Sequence, residues 1–329
     1  MDREVQAQPS LSVVIPVYNS EATLRDLVAR LEAALPLVAK RFEVLLVNDG
    51  SRDNSWEAIC KLSVGRPWLR GITLLRNYGQ HNALLCGIRA ARHELIVTMD
   101  DDLQHPPEEV QKLLVKMAEG HDVVYGVPET EQHGMFRDLA SWLTKLALQN
   151  AMGAATARRV SAFRIFRTRL REAFAAYHSP NVCLDVLLTW GTPRFGWLVV
   201  RHEARPVGAS NYSFYRLLTH AMNMLTGFST MPLQLASLMG FGLALFGVVV
   251  LAYVVGRYLI QGASVPGFAF LASIVAIFSG AQLLCLGIIG EYLARMHFTM
   301  MGRPTYVAGQ EIGDAGQSGG VAAHAPGQE

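Results

Sequence analysis

The sequence predicts a doubly wound α/β domain followed by a pair of membrane-spanning helices. Three observations predict it. Short β-branched runs alternate with amphipathic stretches over residues 1–205. Polar and turn residues crowd the end of each of the first four runs. Two long stretches near the C-terminus contain no Asp, Glu, Lys or Arg.

The expected strands are LSVVI (11–15), FEVLLV (42–47), LRGITLL (69–75), ELIVTM (94–99) and DVVYG (122–126). Helix-length amphipathic segments at 21–35, 54–62, 81–91 and 107–119 separate them. This alternation predicts a doubly wound sheet. Beyond it the pattern is less regular. Phe136–Met152 reads as an amphipathic helix, and strands are expected at Ser161–Phe166 and Trp197–Arg201. Tyr212–Phe228, rich in aromatics, is read either as an interfacial segment or as a helix packed on the domain.

Leu217–Gly256 and Tyr258–Gly290 are free of charged side chains. About 20 apolar residues cross a hydrocarbon core, so spans are expected at about 233–255 and 268–289. The turn residues of QGASVPG (261–267) join them. A buried helix pair in a soluble core is the alternative. Arg201, Arg205 and Arg216 before the pair, and Arg295 and Arg303 after it, outnumber Arg257 in the link. By the positive-inside rule the domain and the tail face the cytoplasm. The expected organisation is a domain at 1–205, a juxtamembrane segment at 206–231, the hairpin at 232–294 and a C-terminal segment at 295–329. That last segment is expected to be disordered from Gly309, on its Gly, Ala and Gln content.

The 329 residues carry a net charge of +2 without a basic tract, which argues against nucleic acid as a partner. The mean hydropathy, +0.23, reflects the C-terminal runs. Cys60, Cys86, Cys183 and Cys285 form no CxxC pair, so reduced thiols are expected rather than zinc or disulfides. MDREVQAQPS has neither the basic nor the apolar region of a secretory signal.

In doubly wound sheets ligands bind beyond the carboxyl ends of the strands. Those ends read PVYN (16–19), NDGSRD (48–53), RNYGQH (76–81) and DDD (100–102). A single such end is an ordinary loop or helix cap; four on one edge make a site. No GxGxxG follows the first strand and no GxxxxGK[ST] occurs, which disfavours dinucleotide-dependent dehydrogenases and P-loop enzymes. Alternation along a strand turns Asp100 and Asp102 to one pocket and Asp101 away. Two carboxylates so spaced suit Mg²⁺ or Mn²⁺ completed by phosphate oxygens and water. An acidic helix start is the alternative, but Glu108 and Glu109, after Pro106 and Pro107, fill that role better.

VVIPVYN, VNDGSRDNS, RNYGQHNALLCGI and MDDDLQHPPEE, in this order and with the C-terminal hairpin, resemble the inverting family-two glycosyltransferases of GT-A fold. The subgroup acting on polyprenyl phosphate carries such a hairpin. RNYGQH and GEYLAR look particularly like bacterial undecaprenyl-phosphate sugar transferases; dolichyl-phosphate mannose synthase is a more distant relative. The resemblance spans about residues 11–306. It implies a nucleotide pocket of Pro16, Tyr18, Asn19, Asp49, Gly50 and Arg76, with Asp100 and Asp101. Asp100 and Asp102 would hold the metal and, with Gln104, form the catalytic set. Arg164, Arg205, Ser210 and Asn211 would meet donor or acceptor phosphate. It further implies a UDP-sugar donor, undecaprenyl phosphate as acceptor, residence in the bacterial inner membrane with both termini cytoplasmic, and a homo-oligomer, a tetramer.

Two departures stand out. Asn211 occupies a position where the family usually has Lys, and Arg158 and Arg159 stand where many relatives have Asp. Asp101 and His105 are weighed as a base, and Asp185 as a sugar contact. Three rivals remain. A processive polysaccharide synthase would carry QxxRW and more spans. A non-catalytic nucleotide-sugar-binding protein would not need the DxD-type motif. A nucleotidyltransferase would not need the hairpin.

Overall fold

The structure, a computed structural model, describes residues 9–129, 159–179, 182–203, 230–261 and 267–313. The expected helix at 136–152, the segment 212–228, Arg158, Arg205, Ser210, Asn211 and most of the 261–267 link lie outside these residues.

The chain runs β1 (Ser10–Val17), α1 (Glu21–Val38), β2 (Arg41–Asn48), α2 (Ser55–Ser63), β3 (Leu69–Leu74), α3 (Gln80–Ala90) and β4 (Leu95–Thr98). A 3₁₀ turn (Pro107–Glu109) leads into α4 (Val110–Ala118), followed by β5 (Val123–Pro128). Then come β6 (Arg164–Arg167), a 3₁₀ segment (Thr168–Phe174), α5 (Leu184–Gly191) and β7 (Phe195–Val200). Two long helices, α6 (Met231–Gln261) and α7 (Phe268–Met300), precede β8 (Ala308–Ile312).

One eight-stranded sheet has the order β7-β5-β6-β4-β1-β2-β3-β8. β1 to β4 are mutually parallel, and β5 pairs in parallel with β7. β6 lies antiparallel between β4 and β5, placing Thr98 opposite Arg164. The sheet is therefore mixed where the sequence predicts simple double winding.

Period-two alternation decides which face each strand residue covers. Leu11, Val13 and Ile15 pack with Leu24, Leu31, Val110 and Leu113, under α1, α2 and α4. Val14, Leu45 and Ile96 pack with Leu84, Ile88, Leu184 and Leu188, under α3 and α5. With both faces covered, Val44 to Val47 are all fully buried, which is why β2 reads as a continuous apolar run.

β8 corrects the expected disorder from Gly309 as far as Ile312; residues 314–329 lie outside the described part. It runs antiparallel to β3, pairing Ile312 with Gly71 and Ala308 with Leu74. The physical reason is a buried charge. Arg70, 4% exposed, donates to Glu43 at 2.7 Å and to Glu311 at 2.5 Å. A buried guanidinium needs such partners, and low-complexity composition does not reveal them.

The two long helices include the residues of the expected spans and run beyond them, to Gln261 and Met300. Among the described residues the membrane-length apolar stretch of the second helix is Ile277–Met300, later than the expected 268–289. Both contain a stretch long and apolar enough to cross a membrane, and neither stretch is buried in the protein. A core helix of a soluble domain would be covered. At 1.5 Å per residue each helix is longer than the ~30 Å hydrocarbon core. Arg257 lies near the end of the first helix, whereas Glu291 and Arg295 lie within the C-terminal third of the second, inside its apolar stretch Ile277–Met300.

Candidate active site

The carboxyl ends of β1 to β4 form one polar edge, and hydrogen bonds knit its loops together. The β2–α2 loop holds the β1–α1 loop. Asn19 donates its N–H to Ser51 Oγ (3.0 Å) and accepts the Arg52 N–H at its side-chain oxygen (2.8 Å). Ser20 N–H reaches Ser55 Oγ at 2.9 Å, and Glu21 N–H reaches Asp53 at 3.2 Å. Asn19 is one of two non-glycine residues with positive φ among those described, at 53°. Its two bonds to the neighbouring loop hold that conformation.

Asp49 joins β2 to the loop after β3. Its two carboxylate oxygens accept the N–H groups of Tyr78 (2.7 Å) and Gly79 (2.8 Å). The residue is 2% exposed, and burial pushes its pKa up against the pull of those donors. Gly50 is required by contact as much as by conformation. Its φ is +61°, and a Cβ there would stand 2.5 Å from the Arg76 carbonyl carbon. The Arg76 guanidinium lies 4.6 Å from the centre of the Tyr78 ring. Tyr18 remains 43% exposed at the mouth of this edge. Pro16 stays within β1, opposite Val47.

The three aspartates follow β4 and take three different partners. Asp100 Oδ1 accepts from Gln80 Nε2 at 2.6 Å. Asp101 turns toward β1, where its carboxylate accepts the Tyr18 N–H at 3.4 Å. Burial pushes its pKa up, opposed by hydrogen bonds from Ser20 and Tyr18. Asp102 Oδ1 accepts the Gln104 N–H at 3.1 Å across Leu103, whose φ is +61°. Asp101 is thus tied to the β1 loop through the Tyr18 backbone. Gln80 escaped the sequence reading, although it is the first residue of the helix that follows a strand end.

His105 is buried beside this loop. Its ring stacks on Phe163 (5.3 Å between centres) and meets His202 edge-on (5.0 Å). Burial lowers its pKa to about 4, and His202 adds to the effect while Asp102 opposes it. It is neutral at cytosolic pH and far too weak a base for the role weighed above. The unfolded chain binds a proton here below about pH 6.5 and the native chain does not until about pH 4. Stability conferred by the neutral ring is therefore lost as pH falls through that window. In urea titrations between pH 6.5 and pH 4, His105→Phe is expected to flatten part of the decline; an unchanged profile would contradict this burial.

Arg164 requires a correction. The resemblance places it at the phosphates, but the structure buries it to 2% exposure. Its guanidinium pairs with Asp185, itself 4% exposed, which also accepts the Tyr125 hydroxyl at 2.9 Å. Asp185 is correspondingly a partner of Arg164 and not an exposed sugar contact. The pair joins the start of β6 to the first turn of α5. Arg159 is also engaged, lying 3.5 Å over the Trp197 ring.

Among the described residues no cluster of three or more His, Cys, Asp or Glu is arranged to hold a metal. Asp100 and Asp102 offer hard oxygen donors from one loop. Such a pair fits a divalent cation that takes its remaining ligands from substrate phosphates and water.

Residues 12–177, half of the chain and all four motif-bearing strand ends, match the glycosyl transferase family 2 domain. The chain belongs to glycosyl transferase family 2. The relationship extends through the long helices. An undecaprenyl-phosphate 4-deoxy-4-formamido-L-arabinose transferase of Shewanella sediminis is 36% identical over 300 residues, 90% of each chain. Transferases of the same name from Pseudomonas paraeruginosa and Yersinia pestis are 37% and 34% identical. They cover 90% and 92% of this chain, and 88% and 94% of their own. A glucosyl-3-phosphoglycerate synthase from Mycobacterium tuberculosis, crystallised with Mn²⁺, uridine diphosphate and phosphoglyceric acid, superposes with a TM-score of 0.50 at 18% identity. That match covers 67% of this chain and 77% of the other. It shows the fold, which is GT-A. This family-two chain is a glycosyltransferase.

Proposed function

We propose that this glycosyltransferase moves a sugar from a UDP-sugar to undecaprenyl phosphate at the cytoplasmic face of the bacterial inner membrane, with inversion at the anomeric carbon. The observation that carries the reading is one chain holding both a polar carboxylate edge and two unburied span-length helices. Relatives over nine-tenths of the chain are named as undecaprenyl-phosphate sugar transferases, which supports the acceptor. The product would be a lipid-linked monosaccharide for cell-envelope glycan modification, lipopolysaccharide included.

In this reading Tyr18, Asn19, Asp49, Gly50 and Arg76 shape the nucleotide pocket at the ends of β1 to β3. Asp100 and Asp102 hold Mg²⁺ or Mn²⁺, and Gln80 fixes the Asp100 carboxylate. The cation supplies electrostatic stabilisation of the departing diphosphate. Gln104 meets phosphate oxygens. An oxygen of the lipid phosphate attacks the anomeric carbon, and the bond from that carbon to the diphosphate oxygen breaks. Nucleoside diphosphate departs with the electron pair. A phosphate monoester has its second pKa near 6, by analogy with phosphorylated side chains, so the nucleophile is already a dianion. It needs positioning rather than deprotonation, which suits a site whose buried histidine is neutral. Arg205, Ser210 and Asn211 remain the proposed acceptor-phosphate contacts. Two spans bring both ends of the chain to the cytoplasmic side, where the nucleotide sugar is supplied.

The test is to incubate purified protein with undecaprenyl phosphate, Mg²⁺ or Mn²⁺ and a panel of nucleotide sugars. At least one UDP-sugar is expected to give a glycolipid extractable into organic solvent. No glycolipid from any member of a broad panel would overturn the reading.

A further inference from the structure

The metal-side loop is held from outside the four strand ends, by the three residues that follow β7. Glu203 N–H donates to the Gln104 carbonyl at 2.9 Å. Arg201 N–H donates to the carboxylate of Glu109 at 3.2 Å. The His202 ring stands edge-on to His105. From the other side, Arg30 of α1 grips the Glu203 carboxylate with both terminal nitrogens, at 3.1 and 3.2 Å. The same guanidinium reaches Glu108 at 3.5 Å.

These contacts form a continuous line to Asp102. The Gln104 amide N–H is held by the Asp102 carboxylate, and the Gln104 carbonyl is held by Glu203. The intervening Leu103 sits in the left-handed region, which a leucine occupies only when its surroundings enforce it. Two anchors flanking a strained residue define where Asp102 and Gln104 point. A carboxylate that must meet a cation and a diphosphate needs this kind of support, because ligand orientation is set by the groups behind the ligands.

We propose that Arg30 and Glu203 are positioning residues that latch the Asp102–Gln104 loop into its metal- and diphosphate-binding shape. The proposal rests on the reading of Asp102 as a metal ligand. Arg30 and Glu203 touch neither substrate nor cation; they act through the Gln104 peptide. Glu203 lies just beyond the end of β7 at Val200. The latch therefore also holds the chain immediately after β7.

The experiment is calorimetric titration of the detergent-solubilised full chain with UDP in the presence of Mn²⁺, with thermal melting as a parallel readout. Arg30→Ala is expected to weaken UDP binding by about tenfold, as loss of a supporting group behind a metal ligand does, with little change in melting temperature. Arg30→Lys, which keeps the charge but loses the two-pronged grip, should fall between. Arg30→Ala combined with Glu203→Ala should be no weaker than the worse single variant, because both remove one latch. If Glu203→Ala does not fold, the Arg30 series decides alone. Unchanged UDP affinity in Arg30→Ala would overturn the latch. So would a loss that merely follows a fall in melting temperature, or additive effects in a folded double variant. Absence of Mn²⁺-dependent UDP binding by the unsubstituted chain would instead remove the underlying reading, and the latch with it.

Discussion

Asp102→Asn is expected to lower turnover by about 10²–10³-fold or more, the scale on which single electrostatic contacts to a developing charge act. The substitution is nearly isosteric, and its amide oxygen can still accept the Gln104 N–H that Asp102 Oδ1 accepts at 3.1 Å. The loop should fold, leaving only the lost charge to explain the deficit. Donor binding in the presence of Mn²⁺ should weaken in parallel, while the thermal midpoint stays close to that of the unsubstituted chain. An undiminished rate would remove Asp102 from the metal site. Asp101→Asn is a useful contrast, since that carboxylate faces the Tyr18 backbone and its effect should appear in donor affinity first.

Asp185→Ala should produce the largest loss of stability, about 3–5 kcal/mol, as expected when one partner of a buried ion pair is removed. The cause is twofold. Arg164 would keep a charge in a site of 2% exposure, and Tyr125 would lose the acceptor of its hydroxyl. Tyr125→Phe removes only the second contribution and should cost about 1 kcal/mol. Replacing Arg164 and Asp185 together by Met and Leu should recover much of the loss, because the desolvation cost of both charges disappears with them. Urea midpoints measure all three variants. An unshifted midpoint for Asp185→Ala would mean that this pair does not hold β6 to α5.

Much of the architecture is legible in the sequence because it is local. β-branched runs of the right length, helix-length amphipathic spacers and uncharged C-terminal stretches each report their own element. The four strand ends were legible as a group for the same reason, since parallel strands with helical crossovers deliver their carboxyl ends to one edge. What escaped depends on long-range pairing. β6 reads as a strand, but nothing in RIFR announces that it runs antiparallel between β4 and β5. β8 is an ordinary polar pentapeptide whose order comes from Arg70, 241 residues away.

The site divides in the same way. Motif spacing finds the aspartates, while the structure shows that each has a different partner. Asp49 is recognisable from NDGS, but its capture of two backbone N–H groups across the sheet edge is not. Arg164 is the instructive departure. A motif match reports a position, and only the fold shows that the side chain at that position turns inward to Asp185. Arg30 and Glu203 carry no motif at all, because a pair 173 residues apart is visible only once α1 and the end of β7 are brought together.

The most direct test of the central claim is the identity of the nucleotide released as glycolipid forms. With a UDP-sugar, undecaprenyl phosphate and a divalent cation, each glycolipid should appear with one UDP, its mass equal to undecaprenyl phosphate joined to one sugar through a single phosphate. Release of UMP with a diphosphate-linked product would place bond cleavage between the two phosphates of the donor, and would contradict glycosyl transfer by this site.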